Sequence, residues 1–268
     1  MSGQQIMDLG SLEGPLLVFG GPYSNLQATQ AVRAQADRLG IPPERCICTG
    51  DVVAYCGDAA ATVAEIRDWG CLVIAGNCEK QLAAHALDCG CGFDEGTTCD
   101  LLSAGWYAHA NAQVDGPMRD WMAGLPDWIV FEHAGQKCCV IHGGARDIAR
   151  FLWPVTPDEL LLDELSILPK GTTRVIAGHS GIAFQKSIGP ADWLNAGVIG
   201  MPAHDGRTQT RFGLIHPDGR FEICLLDYPS DQAAMTMERV GLSQGYHTSL
   251  RTGWWPSEDV LPEELRRV

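Results

Sequence analysis

Four polar residues stand at equivalent places in the sequence, each just past a short apolar run and beside a glycine. Asp51 follows "CICTG", Asn77 follows "LVIAG", His142 follows "CCVI" and His179 follows "RVIAG". Strand ends of this kind are where α/β proteins gather their chemistry. One carboxylate, one amide oxygen and two imidazoles form a mixed oxygen and nitrogen set. Such a set suits a divalent transition metal better than calcium. Each residue alone has an ordinary structural explanation: a helix cap, a turn amide, or a histidine satisfied in the core. Four of them at matching strand ends point to one shared site.

The elements that must position these residues follow from the apolar pattern. "LLVF" (residues 16–19) leads through a short loop into a helix over 25–39. "RCICTGD" leads towards the helical "AAATVAEIRDWG", and "CLVIAGN" towards "EKQLAAHAL". This βαβαβα order predicts a sheet covered by helices, and the nearly continuous apolar runs predict buried strands. Residues 92–126 read as helical and loop-rich. "WIVFEHAGQKCCVIHGG" reads as a hairpin, followed by "TRVIAG", "AFQKSIG", "DWLNAG" and "TQTRFGLIHPDGRFEICLL" as further strands. One helix over about 157–166 interrupts them, and the tail from 229 carries one short helix. In that tail, Trp254 and Trp255 read as packing anchors. A βα half followed by a β-rich half predicts two sheets packed face to face with helices outside.

Composition sets the outer bounds. The 268 residues suffice for one large domain, with a core over about 16–228, a helical insertion at 92–126 and a tail at 229–268. The formal net charge of −14 argues against a nucleic-acid partner. No apolar run approaches the roughly 20 residues of a membrane helix. The N-terminus shows no basic segment before an apolar one, so the expectation is a cytoplasmic protein with no membrane partner. Eleven cysteines in such a chain are expected to be reduced thiols. Cys78, Cys89, Cys91 and Cys99 cluster, but their C-x10-C-x-C-x7-C spacing lacks the paired knuckles of zinc modules.

The motifs "GD" at 50–51, "GN" at 76–77, "HGG" at 142–144 and "GH" at 178–179 resemble, in order, those of the calcineurin-like metallophosphoesterase superfamily. The resemblance is to its small bacterial phosphodiesterase and diadenosine-tetraphosphatase-like branch. "GDVVAYCGD" and "WLNAGVIGMPAHDG" are similar to further segments of that branch, so the match spans about residues 16–228. It implies an α/β fold, a four-layer α/β/β/α sandwich of two mixed sheets flanked by helices. It also implies a phosphoesterase with two metals, one of them held by Asp51, Asn77, His142 and His179.

The other implied metal is where this chain departs. The family's D-x-H-G-N-L aligns with Gly21-Pro22-Tyr23-Ser24-Asn25-Leu26, and its G-H-x-H with Gly178-His179-Ser180-Gly181. Gly21, Tyr23 and Gly181 therefore stand where the resemblance implies ligands. This explains why the loop "FGGPYSN" carries no strongly ionising side chain. The family's phosphate-contacting histidine is Cys78 here. The expectation is one divalent transition metal (Mn, Fe or Zn), with no complete ligand set for a second. Asp51, Asn77 and Cys78 are the candidate catalytic residues.

Several residues are candidates to compensate. Ser24 and Asn25, before the first helix, and His204, in "MPAHDG", are candidate phosphate contacts. Tyr23 and Cys56 are candidate auxiliary ligands, against the plainer readings of a packing ring and an inert thiol. The expected activity is weak hydrolysis of a small phosphate ester or nucleotide. The alternative is a degenerate member that binds a nucleotide or protein partner without hydrolysis.

Overall fold

The chain runs β1 (Ile6–Ser11), β2 (Leu16–Phe19), α1 (Leu26–Leu39), β3 (Cys46–Cys48), α2 (Ala59–Trp69), β4 (Leu72–Val73) and α3 (Asn77–Ala83). Next come α4 (Thr98–Gln113), α5 (Gly116–Ala123), β5 (Trp128–His133), β6 (Gln136–Val140), α6 (Asp158–Leu165), β7 (Arg174–Ala177) and β8 (Phe184–Ile188). The last elements are β9 (Ala191–Asn195), β10 (Thr210–Ile215), β11 (Phe221–Leu226), α7 (Ser230–Arg239) and α8 (Tyr246–Thr252). The computed structural model describes residues 4–267. Residues 1–3 of the N-terminal stretch and residue 268 of the tail lie outside the described residues.

Two mixed sheets form, ordered β1-β5-β6-β7-β9-β8 and β11-β10-β2-β3-β4. Their facing surfaces share one core. Leu16, Val18, Ile47 and Ile74 meet Ile129, Phe131, Val140, Ile176 and Leu194 there. The alternate residues point outward. Leu17, Phe19, Cys46 and Cys48 pack under α1 and α2, whereas Cys139, Val175 and Trp193 share a core with Leu161 of α6. The central strands β2, β3 and β7 are covered on both faces, which is why they read as nearly unbroken apolar runs. The result is the expected α/β/β/α sandwich.

Local chemistry sets the first helix. Asn25 caps α1, its Oδ1 accepting from the Ala28 N–H at 3.1 Å, and Gly40 ends it at φ +65°. Ala28, Val32 and Ala36 recur on one face and are buried.

Two elements differ from the sequence expectation. β1 pairs in parallel with β5 at the sheet edge, yet five of its six residues are exposed. No apolar alternation marked it. The tail holds two helices, α7 and α8, where one was expected. The second is a short one that starts at Gly245, without a side-chain cap. Among the described residues, no helix is long and apolar enough to cross a membrane.

Candidate metal centre

β3 and β4 are parallel neighbours in one sheet, and β6 and β7 are parallel neighbours in the other. The segments leaving their carboxyl ends carry Asp51, Asn77, His142 and His179. Face-to-face packing of the sheets brings all four together. Nε2 of His142 lies 3.2 Å from Asp51 Oδ2, 3.1 Å from Asn77 Oδ1 and 3.1 Å from His179 Nδ1. His179 Nδ1 is 3.8 Å from Asp51 Oδ2. All four residues are buried. Among the described residues, Asp51, His142 and His179 form the one cluster of ionisable side chains with metal-ligand geometry.

The surroundings determine which atoms face inward. Nδ1 of His142 is 2.6 Å from the Thr49 carbonyl, so it carries the proton and Nε2 offers a lone pair. The Asn77 Nδ2 donates to the Cys89 carbonyl at 2.9 Å, which turns Oδ1 towards the cluster. Nε2 of His179 is buried with no partner at full hydrogen-bond geometry, although the Ala149 carbonyl favours a proton on that ring. With both imidazoles neutral, lone pairs converge among these atoms. A cation among them relieves that repulsion, and the donor set fits a divalent metal ion.

The charges of the cluster are coupled. Burial opposes the Asp51 charge, but the His142 and His179 imidazoles outweigh it and hold the carboxyl far below its ordinary range. Burial also opposes a charge on His142, and Asp51 reverses that and raises it. Burial lowers the pKa of His179 and keeps it neutral, as a ligand must be.

Residues absent from the expected set hold the ligand loops. Glu79 is fully buried, and its Oε2 accepts from the Asp51 N–H at 2.8 Å and the Gly76 N–H at 2.9 Å. Its Oε1 accepts from Val53 N–H at 3.3 Å. Glu164 of α6 is buried too, and holds the loop after His142 through the Ala145 and Arg146 N–H groups. Asn195 donates to the Gly178 carbonyl and to Ser180 Oγ, flanking His179. An acidic residue in a first helical turn was the available sign for Glu79. Nothing local marked Glu164.

The remaining candidates are placed as follows. Cys78 opens α3, and its N–H approaches Asp51 Oδ1 at 3.4 Å. Burial, then Asp51, pushes its thiol up, so it stays protonated. Tyr23 lies against Gly21: a Cβ on that glycine would stand 2.6 Å from the tyrosine ring. Burial and Asp51 raise its phenol too, so it is not a ready phenolate ligand. The Cys56 thiol is turned to the Gly200 carbonyl at 3.7 Å and is also pushed up by burial.

The three expected phosphate contacts each have a hydrogen-bond partner within the chain. Ser24 Oγ accepts from Ala54 N–H, and Asn25 both caps α1 and donates to the Gly200 carbonyl at 3.0 Å. His204 uses both ring nitrogens, Nδ1 for the Trp255 N–H at 2.8 Å and Nε2 for Glu258 at 2.8 Å. The cysteines also depart from the expectation. Cys89 and Cys91 form a disulfide across Gly90, whose φ of +58° folds the two towards each other. The other nine are free.

No family model matches the sequence, and no curated protein matches it significantly. Solved structures do match the fold. A metallophosphoesterase from Sphaerobacter thermophilus shares 17% identity over 90% of this chain and 100% of its own, at a TM-score of 0.69. A hypothetical protein from Pyrococcus horikoshii OT3 shares 13% over 91% of this chain and 98% of its own, at 0.74. A candidate diadenosine tetraphosphatase shares 14% over 84% and 99%, at 0.53. With its two mixed sheets, its flanking helices and these matches, the chain has the calcineurin-like metallophosphoesterase fold.

Proposed function

We propose that the protein is a mononuclear metal-dependent phosphoesterase acting on a small phosphate ester. The observation that carries this is the convergence of Asp51 Oδ2, Asn77 Oδ1, His142 Nε2 and His179 Nδ1 at the strand ends. Asp51 is the one anion of the set, so a bound divalent ion keeps net positive charge and attracts phosphate. Such an ion, when bound, polarises a phosphoryl oxygen and acidifies water.

Gly21, Tyr23 and Gly181 supply no ligand for a second ion. Losing one electrostatic stabiliser of that kind costs about 10²–10³ in rate. Cys78 offers a weak donor where the resemblance implies an imidazole, which lowers the rate further. Slow turnover is the expectation. The same two departures favour a second reading, a family member that binds phosphate compounds without hydrolysing them.

Metal analysis of the purified protein, followed by phosphodiester and nucleotide panels with Mn²⁺, separates the two. Turnover that disappears in Asp51→Asn supports the esterase. Thermal stabilisation by a nucleotide without turnover supports the binder. Absence of both bound metal and activity overturns the esterase reading.

A further inference from the structure

A small, partly open cavity of about 50 Å³ lies directly beside the ligand cluster. His179, Ser180 and Gly181 line it on the side of the cluster. Its walls include Tyr23, Tyr55, Phe93, Phe151, Tyr246 and Trp255. Among the described lining residues there is no Asp, Glu, Lys or Arg. The rings are set at varied angles. Tyr55 stands edge-on to Tyr23, centroids 4.7 Å apart, and tilts against Tyr246 at 4.6 Å. Phe151 lies 4.3 Å from the His179 ring and stacks with Phe93 at 6.0 Å.

We propose that the open, ring-lined mouth of this cavity takes a flat aromatic group on a substrate that carries a single phosphate. The proposal rests on the esterase reading and names its substrate class. An aromatic wall favours a planar ring, through face and edge contacts. A second or third phosphate would find no cationic side chain there, and the chain's net charge of −14 adds to the penalty. The phosphate end has the ligand cluster, and the organic end has the rings.

Two structural features say that the cavity is built. Trp255 is fixed by its N–H to His204 Nδ1 at 2.8 Å and by its indole N–H to the Pro202 carbonyl at 2.7 Å. The tail thus contributes a pre-set wall, which lowers the ordering cost of binding. Gly181 supplies the room. A Cβ there would already touch the Trp255 ring at 3.4 Å and Val198 at 3.8 Å, so a larger side chain would fill the opening. The absent imidazole at 181 both removes a ligand and clears the space.

Calorimetry tests this without requiring turnover, with non-hydrolysable phosphonates reporting on the ring and AMP and ADP on the number of phosphates. Phenylphosphonate and propylphosphonate have the same charge and differ in the ring. Phenylphosphonate should bind the Zn²⁺-loaded protein about tenfold more tightly. Trp255→Leu and Tyr246→Leu, two independent variants, should each cut that ratio to about twofold while Zn²⁺ affinity is unchanged. At fixed free Zn²⁺, ADP should bind no tighter than AMP. Equal binding of the two phosphonates, an unchanged ratio in the variants, or ADP bound tenfold more tightly than AMP would overturn the proposal. Phenol binding to the metal-free protein reports on the cavity alone, so loss of metal binding and loss of ring recognition are read separately.

Discussion

Nδ1 of His142 donates to the Thr49 carbonyl at 2.6 Å, and this contact decides which ring nitrogen meets Asp51, Asn77 and His179. The bond links the end of β3 in one sheet to the end of β6 in the other. Nitrogen NMR of labelled protein should find neutral His142 protonated at Nδ1, with a free Nε2 lone pair. Adding Zn²⁺ should shift the Nε2 signal and leave Nδ1 protonated. A proton on Nε2 in the neutral ring would contradict the ligand assignment.

Metal binding should depend on all four side chains acting together. Wild-type protein should hold about one equivalent, and His142→Ala or Asp51→Asn should hold close to none after dialysis. Chelation by EDTA should lower the melting temperature of the wild type and leave both variants where they are, because a ligand stabilises only the state that binds it.

Glu79 is a positioning residue. It holds the backbone N–H groups of Asp51, Val53 and Gly76 from a fully buried site. Glu79→Gln presents an amide hydrogen towards one of those donors and should cost about 1–3 kcal/mol in urea unfolding. The displaced Asp51 loop should weaken Zn²⁺ binding about 10–100-fold, the usual cost of disturbing a ligand's support. A stability loss with Zn²⁺ affinity intact would show that Glu79 only supports the fold.

Gly181 adopts φ +78°, a conformation that side chains with a Cβ resist. Gly181→Ala should cost about 1 kcal/mol by urea denaturation. Gly181→His should cost more, since its ring must also pass Trp255. Restoring an imidazole at this position by substitution alone is therefore expected to lower stability before it adds a ligand.

His204 ties the tail down. Its two ring nitrogens meet the Trp255 N–H and the Glu258 carboxylate. His204→Ala leaves both without that partner and should cost about 1–3 kcal/mol. Protease cleavage between 246 and 260 should become faster in the variant, while Zn²⁺ affinity stays unchanged because His204 touches no ligand.

The sequence by itself determined the two-sheet architecture and the four polar residues that meet at the strand ends. Runs such as Leu16–Phe19 and Val175–Ala177 are apolar on both faces, which only a doubly covered sheet explains. Asp51, Asn77, His142 and His179 were legible because each follows a strand end, and strand ends in α/β folds converge. The edge strand Ile6–Ser11 was not legible, because an exposed edge needs no apolar pattern. The partners of Ser24, Asn25 and His204 were decided only by tertiary structure. Their polar atoms suit a phosphate equally well, but packing places Ala54, Gly200, Trp255 and Glu258 against them first. Glu79 and Glu164 became visible as supports for the same reason: their partners are backbone N–H groups in loops distant in sequence or on the far side of a turn. The aromatic cavity joins residues from Tyr23 to Val260, a combination that no local pattern encodes and that exists only once the tail has folded back across the strand ends.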